Sequence, residues 1–236
     1  MRASRLTPWQ VREEIRRRLC NRTLARAVTP STMSLTRIGS DYGGALVALG
    51  PLGSGSICYS VGIGEDLSFD LELLKRTPCE IYAFDPTPRS VDFVRTHGPG
   101  EGRFHFFPYA LSIHEGPQSF YLPRHAAHVS HSLTDQQGTG KAITVEGRTL
   151  RSIMSELGHE WVDLLRLDIE GAEYAVLEAL ADTVLPCDVL AVEFHAASRR
   201  RVRRTVGLLR DVGFPLVGAE GPAAVFVRSD GTRPTA

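Results

Sequence analysis

Asp85, Asp168, Glu170, Glu193 and His195 share one placement: each follows directly on a short apolar run. Asp85 closes IYAFD, Asp168 and Glu170 follow VDLLRL, and Glu193 and His195 close VLAVEFH. Strands buried on both faces of a parallel sheet read as such runs, and ligands of such sheets bind beyond the carboxyl ends of the strands. Polar residues there are candidates for binding and catalysis. In extended chain, residues two apart face the same way. Asp168 therefore pairs with Glu170, and Glu193 with His195. Three carboxylates and an imidazole in one cleft allow two chemistries. One is general-base removal of a proton from an acceptor hydroxyl, with His195 near its ordinary pKa of about 6.5 as the base. The other is a divalent cation such as magnesium, held by Asp168, Glu193 and His195 and lowering the pKa of the acceptor. Simpler readings exist. Acids such as Glu170 and Glu173 are favoured at a helix N-terminus by its dipole alone, and His195 can serve only to bond a carbonyl.

A second constellation precedes these. The run ICYSV enters Gly62-Ile63-Gly64, then two acids, Glu65 and Asp66, and Asp85 follows about twenty residues later. Strand, glycine turn, helix, strand and acid form the layout of a nucleoside-binding βαβ unit. Gly62 and Gly64 let backbone approach a ligand, and a carboxylate at Asp85 can accept from both ribose hydroxyls. Leu67 stands where a dinucleotide fingerprint needs its third glycine, and Glu65 and Asp66 would repel a pyrophosphate at the helix N-terminus. The same acids favour a sulfonium and an ammonium. S-adenosylmethionine therefore suits the loop better than NAD. Asp66 also reads simply as the cap of the next helix.

The elements that position these residues alternate. Strands are expected at Ile57–Val61, Glu80–Phe84, Arg103–Ala110, Val162–Leu167 and Val189–Phe194, with helices at Ser68–Arg76, Pro88–His97, Ala172–Leu180 and Ser198–Val212. A helix is expected at Leu150–Leu157, short strands at Gln118–Leu122 and Ile143–Val145, and closing strands at Pro215–Gly218 and Ala223–Val227. This predicts an α/β, Rossmann-like fold with a mostly parallel seven-stranded sheet, helices on both faces and a C-terminal antiparallel hairpin. Residues 9–27 read as a basic amphipathic helix. Residues 31–56 read as a loop with one short strand near Ala45–Leu49, and residues 123–141, with His125, His128 and His131, as a polar loop shaping the acceptor pocket. The expected division is a helical lid over 1–40 and a catalytic domain over 41–236.

Composition narrows the partners. With 27 basic and 27 acidic side chains in 236 residues, no global field argues for nucleic acid or membrane. The basic segments at residues 1–30 and Ser198–Arg204 read as solvated helix faces. Cys20, Cys58, Cys79 and Cys187 form no close pair in sequence, which points to reduced thiols and a cytoplasmic setting. No apolar stretch approaches a membrane span, and the N-terminus lacks the apolar core of a secretory signal. Self-association is left open.

VGIGEDLSFD, IYAFDP, YALS, RIGSDYGGALV, VLAVEFH and above all VDLLRLDIEGAEYAVLEAL resemble the FkbM-type methyltransferase family, over about residues 35–200. The resemblance implies a class I S-adenosylmethionine-dependent methyltransferase. It implies that Gly62 and Gly64 face the methionine part, Asp85 the ribose, and Asp168 the methionine end or the acceptor. Members usually methylate hydroxyls, often on secondary metabolites or sugars. The chain departs from the commoner glycine loop, in which an acid precedes the glycine. Ser60-Val61 stands there, which leaves the ammonium contact to Glu65 or Asp66. The rival readings are an N-methyltransferase, an NAD-binding oxidoreductase, and a binding module without turnover. No Tyr-x-x-x-Lys supports the oxidoreductase, and a mere binder has no need of acids at both later strand tips.

Overall fold

The computed structural model describes residues 8–121, 142–195, 197–229 and 233. His125, His128 and His131 lie outside them. The chain order is α1 (Pro8–Ala27), β1 (Thr36–Ile38), β2 (Ala45–Val47), β3 (Ile57–Val61), α2 (Ser68–Arg76), β4 (Glu80–Phe84), α3 (Pro88–His97), β5 (Phe104–Phe107), β6 (Ala110–Leu111), β7 (Gly116–Tyr121), β8 (Ala142–Arg148), α4 (Leu150–Leu157), β9 (Val162–Leu167), α5 (Glu173–Ala181), β10 (Cys187–Glu193), α6 (Arg199–Asp211), β11 (Leu216–Glu220) and β12 (Ala223–Val227).

Local chemistry sets several boundaries. Thr87 caps α3 by accepting from the Ser90 amide, with Pro88 at the first position, where its missing N–H costs nothing. Thr149 caps α4, which Gly158 ends in the left-handed conformation. Ser198 caps α6.

The main sheet has seven strands in the order β11-β12-β10-β9-β3-β4-β5. Neighbours from β10 to β5 are parallel, and β12 is antiparallel to both its partners. This is the Rossmann-like α/β architecture expected from the sequence, with its C-terminal hairpin. The chain winds outward from β3 in both directions, so the topological switch point lies between β3 and β9, and the ligand crevice is expected beyond the carboxyl ends of these strands. Alternate residues feed two cores. Tyr59, Val61, Leu165 and Leu167 face α1, α4, α5 and α6, whereas Cys58, Ile81 and Leu164 face α2, α3 and the β1–β2 hairpin.

The structure differs from the expected strands in two places. Residues 31–56 contain two strands, β1 and β2, paired antiparallel. The run 103–110 is not one strand. Pro108 lacks the N–H a central ladder needs, and after it Ala110 and Leu111 leave the main sheet to pair with β8, which also pairs antiparallel with β7. The four cysteines are free and buried.

Helix α1 runs along β11. The Thr29 amide donates to the Leu216 carbonyl at the start of β11 (2.7 Å), and the Asn21 side-chain amide donates to the Gly221 carbonyl just beyond its end (3.2 Å). Cys20 and Leu24 are buried in the same core as α5 and α6. Residues before Asn21 therefore extend past the hairpin on the side of the strand carboxyl ends, by roughly 20 Å at 1.5 Å per residue.

Candidate active site

A cleft opens at the carboxyl ends of β3, β4, β9 and β10. One end is apolar and aromatic, lined by Phe84, Pro86, Tyr109, Leu111 and Phe120. The other is acidic, lined by Asp66, Asp168, Glu170 and Glu193, with His195 among them.

The glycine loop is held from below. Gly62 has φ +88°, and a Cβ there would lie 1.8 Å from the Asp168 carbonyl oxygen. A side chain is excluded because the tips of β3 and β9 touch. The Asp168 amide also donates to the Val61 carbonyl (2.9 Å). Gly64 is left-handed too, at φ +58°.

Asp85 is buried and fully engaged. Its Oδ2 accepts from the Ile63 and Gly64 amides (3.0 and 2.9 Å), and its Oδ1 from the Thr87 amide and hydroxyl (2.9 and 2.7 Å). A carboxylate has about four such acceptor sites. With these four bonds the residue expected to face the ribose fixes the loops on either side of the cleft. Glu65 pairs with Arg89 (2.5 Å). Asp66 accepts from the Ser68 amide at the start of α2 (2.7 Å), the Ser40 hydroxyl (2.5 Å) and the Gly43 amide (3.2 Å). It thus has the capping contact that its position suggested, and it also clamps the 40–43 turn onto the glycine loop. Burial opposes ionisation of Asp66, but these bonds outweigh it and hold its pKa below the usual carboxylate range.

Asp168, Glu170, Glu193 and His195 do come together. His195 Nε2 lies 3.2 Å from Glu170 and 3.8 Å from Asp168, and Nδ1 lies 3.5 Å from Glu173. Glu173, fully buried, also accepts from the Gly171 and His195 amides (2.7 and 2.8 Å). The β9–α5 junction is strained to achieve this, with Glu170 left-handed at φ +52° followed by Gly171 at +94°. Burial depresses the His195 pKa, but the Glu173, Glu170 and Asp168 carboxylates outweigh it and hold it well above the ordinary histidine value. This direction differs from the expectation of a base titrating near its unperturbed pKa. Glu193 behaves oppositely. Burial, then the charge of Asp168, raise it to about 7 against the pull of His195 and Arg166.

Sequence reasoning missed Arg166, although an arginine inside an apolar strand is a signal of a buried charge with partners. It is 3% exposed. Its guanidinium donates to Asp168 (2.9 Å), the Gly62 carbonyl (3.1 Å) and the Gly43 carbonyl (3.1 Å), joining β9, the glycine loop and the 40–43 turn. Tyr42, exposed at the cleft mouth, was also missed; the charges of Glu170 and Asp168 add to burial in raising its pKa.

One ligand atom each from Asp168, Glu193 and His195 lie within 4.8 Å of one another, a spacing a cation could bridge. Their chemistry does not fit one as arranged. Arg166 already neutralises Asp168, and the proton on His195 would have to be displaced.

The sequence matches the family described as methyltransferase FkbM domain over residues 28–216. It is 31% identical over 140 residues to probable methyltransferase-like protein 24 of Homo sapiens, covering 58% of this chain and 32% of that protein. The Rattus norvegicus counterpart is 30% identical over the same length, with the same coverage. The match spans about a third of these curated relatives. Among solved structures, similarity extends to a putative RNA methyltransferase from Pyrococcus horikoshii (TM-score 0.44, 13% identity, 76% of each chain). It extends also to the N-methyltransferase NodS from Bradyrhizobium japonicum in complex with S-adenosyl-L-homocysteine (TM-score 0.38, 12% identity, 75% of this chain and 80% of that one).

Proposed function

This chain belongs to the FkbM methyltransferase family, and on that footing we propose that it transfers a methyl group from S-adenosylmethionine to a hydroxyl of a small molecule, a secondary metabolite or sugar. The observation that carries the reading is the meeting of Glu193, Asp168, Glu170 and His195 in the cleft that the glycine loop also lines.

The cleft fits the methyl donor. Its apolar end suits an adenine, and its carboxylates suit a sulfonium and an ammonium while disfavouring the pyrophosphate of NAD. When bound, the donor supplies an electrophilic methyl carbon on a positively charged sulfur. The protein's part is to orient, to exclude water and to take one proton. Asp85 and Asp66 hold the loops that shape the cleft. Arg166 fixes Asp168 at its floor. Glu193 is the general base: its raised pKa lets it receive the acceptor's hydroxyl proton near neutral pH. His195, charged and held by three carboxylates, is a positioning residue that fixes Glu170 and Asp168 and lowers the cost of so many acids together. In-line positioning supplies much of the rate in such a displacement. No metal step is required, and the free, buried thiols support a cytoplasmic setting.

Isothermal calorimetry with S-adenosylhomocysteine, S-adenosylmethionine and NAD tests the reading. The first two should bind and NAD should not. Binding of NAD alone would return the oxidoreductase to first place. Methyl transfer should survive EDTA; abolition by EDTA and recovery with magnesium would move the acids from proton transfer to metal binding.

A further inference from the structure

We propose that helices α1 and α6 together form a docking surface for an anionic phospholipid membrane. Helix α1 carries six arginines against two glutamates, and α6 carries six arginines against one aspartate. These two helices therefore hold a net charge of +9 in a formally neutral chain, leaving −9 on the remainder. They are far apart in sequence, but the fold packs them side by side. Cys20, Thr23 and Leu24 of α1 and Val202, Thr205, Val206 and Leu209 of α6 are buried, so the opposite faces look outward. All twelve arginines are exposed. Arg16, Arg17 and Arg18 pair with glutamates of their own helix, Arg201 with Glu178 and Arg210 with Asp211. For the other seven the described residues offer no ion-pair partner. They are Arg12, Arg22, Arg26, Arg199, Arg200, Arg203 and Arg204.

Charge alone asks for a polyanion; the apolar residues choose among polyanions. Val11, Ile15, Arg18, Arg22 and Arg26 recur at spacings of four and three, which places them on one stripe of α1. Val11 and Ile15 are 42% and 51% exposed, in the first half of α1, ahead of the Asn21 contact with Gly221 at the end of β11. Trp9 precedes them. An exposed apolar tip followed by a row of arginines suits the headgroup boundary of a bilayer, where apolar groups enter and cations meet anionic lipid. Single-stranded nucleic acid is held by stacking aromatics as well as charge, and α6 contains none. The neutral total that argued against a membrane partner averages the two basic helices with an acidic remainder. No helix of the described residues is long and apolar enough to cross a membrane, so the contact is peripheral.

The test is sedimentation of the full chain with vesicles of phosphatidylcholine alone and with about one third phosphatidylglycerol. The protein should sediment with the anionic vesicles only, and its affinity should fall at least about tenfold when salt rises to several hundred millimolar. Arg22→Gln/Arg26→Gln/Arg203→Gln/Arg204→Gln should reduce binding by about tenfold or more. Val11→Asp/Ile15→Asp should do the same with the arginines intact. These residues are exposed, and circular dichroism checks that the variants fold; the wild-type salt series stands regardless. Equal binding to neutral vesicles, full binding by the apolar variant, or tighter binding to single-stranded RNA than to anionic vesicles would each overturn the proposal.

Discussion

At the scale of single residues, the site separates two ionisable groups that the sequence presents as alike candidates. Glu193 sits where burial and Asp168 raise its pKa to about 7, and His195 sits where three carboxylates keep its proton on. Glu193→Gln should therefore lower kcat by about 10²–10⁴-fold with little change in cofactor affinity. Because the carboxylate is the active form, wild-type activity should fall as pH drops through about 7, and that limb should be missing in the variant's residual rate. Stopped-flow or endpoint methyl transfer across pH checks this; an unchanged limb would remove Glu193 as the base. His195 has a linked effect on stability. Its folded pKa is raised, so its contribution is fully present below about 6.5 and lost as pH rises through the folded pKa. The Tm difference between wild type and His195→Gln should narrow on going from pH 6 to alkaline pH. Arg166→Met takes from the partly buried Asp168 its nearest cation, leaving His195 at 3.8 Å, and strips the Gly62 and Gly43 carbonyls of a donor; the loss should stay below the about 3–5 kcal/mol of a fully buried pair. Arg166→Lys should recover only part of that in urea unfolding, since an ammonium lacks the planar fork that reaches three acceptors.

At the scale of elements, the decisive contact is between the tips of β3 and β9. Gly62→Ala places a methyl group on the Asp168 carbonyl at a left-handed φ. It should destabilise the fold by more than the about 1–3 kcal/mol of backbone strain alone, and it should weaken S-adenosylhomocysteine binding because the loop must move. Equal stability of wild type and variant in urea would show that the junction has slack. The sequence made the glycine loop and the acids legible because each lies at the end of an apolar run. It did not show why Gly62 is needed. The ligand reading makes glycine a gap for the cofactor, whereas the neighbour that fills that space is the Asp168 backbone, which arrives from a hundred residues away.

At the scale of the whole molecule, α1 joins the two ends of the chain. It was expected as part of a lid over residues 1–40, and its second half puts Leu24 at 0% exposure into the core shared with α5 and α6. Leu24→Ala should cost about 2–5 kcal/mol. A chain beginning at Thr36 should show a lower Tm than the full chain, because the apolar surface of α6 and β11 that α1 covers is then wet. A truncated chain with unchanged Tm that still binds S-adenosylhomocysteine would favour a separable lid.

The sequence by itself determined the architecture and the position of the site. Period and length separate buried strands from helices, and a doubly wound parallel sheet leaves its carboxyl ends as the place for ligands. Asp168, Glu170, Glu193 and His195 could be named because strand tips are local features. What the tertiary structure decided was the state and partners of those groups. A pKa depends on the charges within a few ångströms: His195 at the tip of β10 meets Glu173 at the start of α5, and Arg166 of β9 reaches across to the 40–43 turn. The same holds for the surface. Two basic helices read singly as solvated faces, and only their packing against each other sums them into one cationic surface on a chain whose net charge is zero.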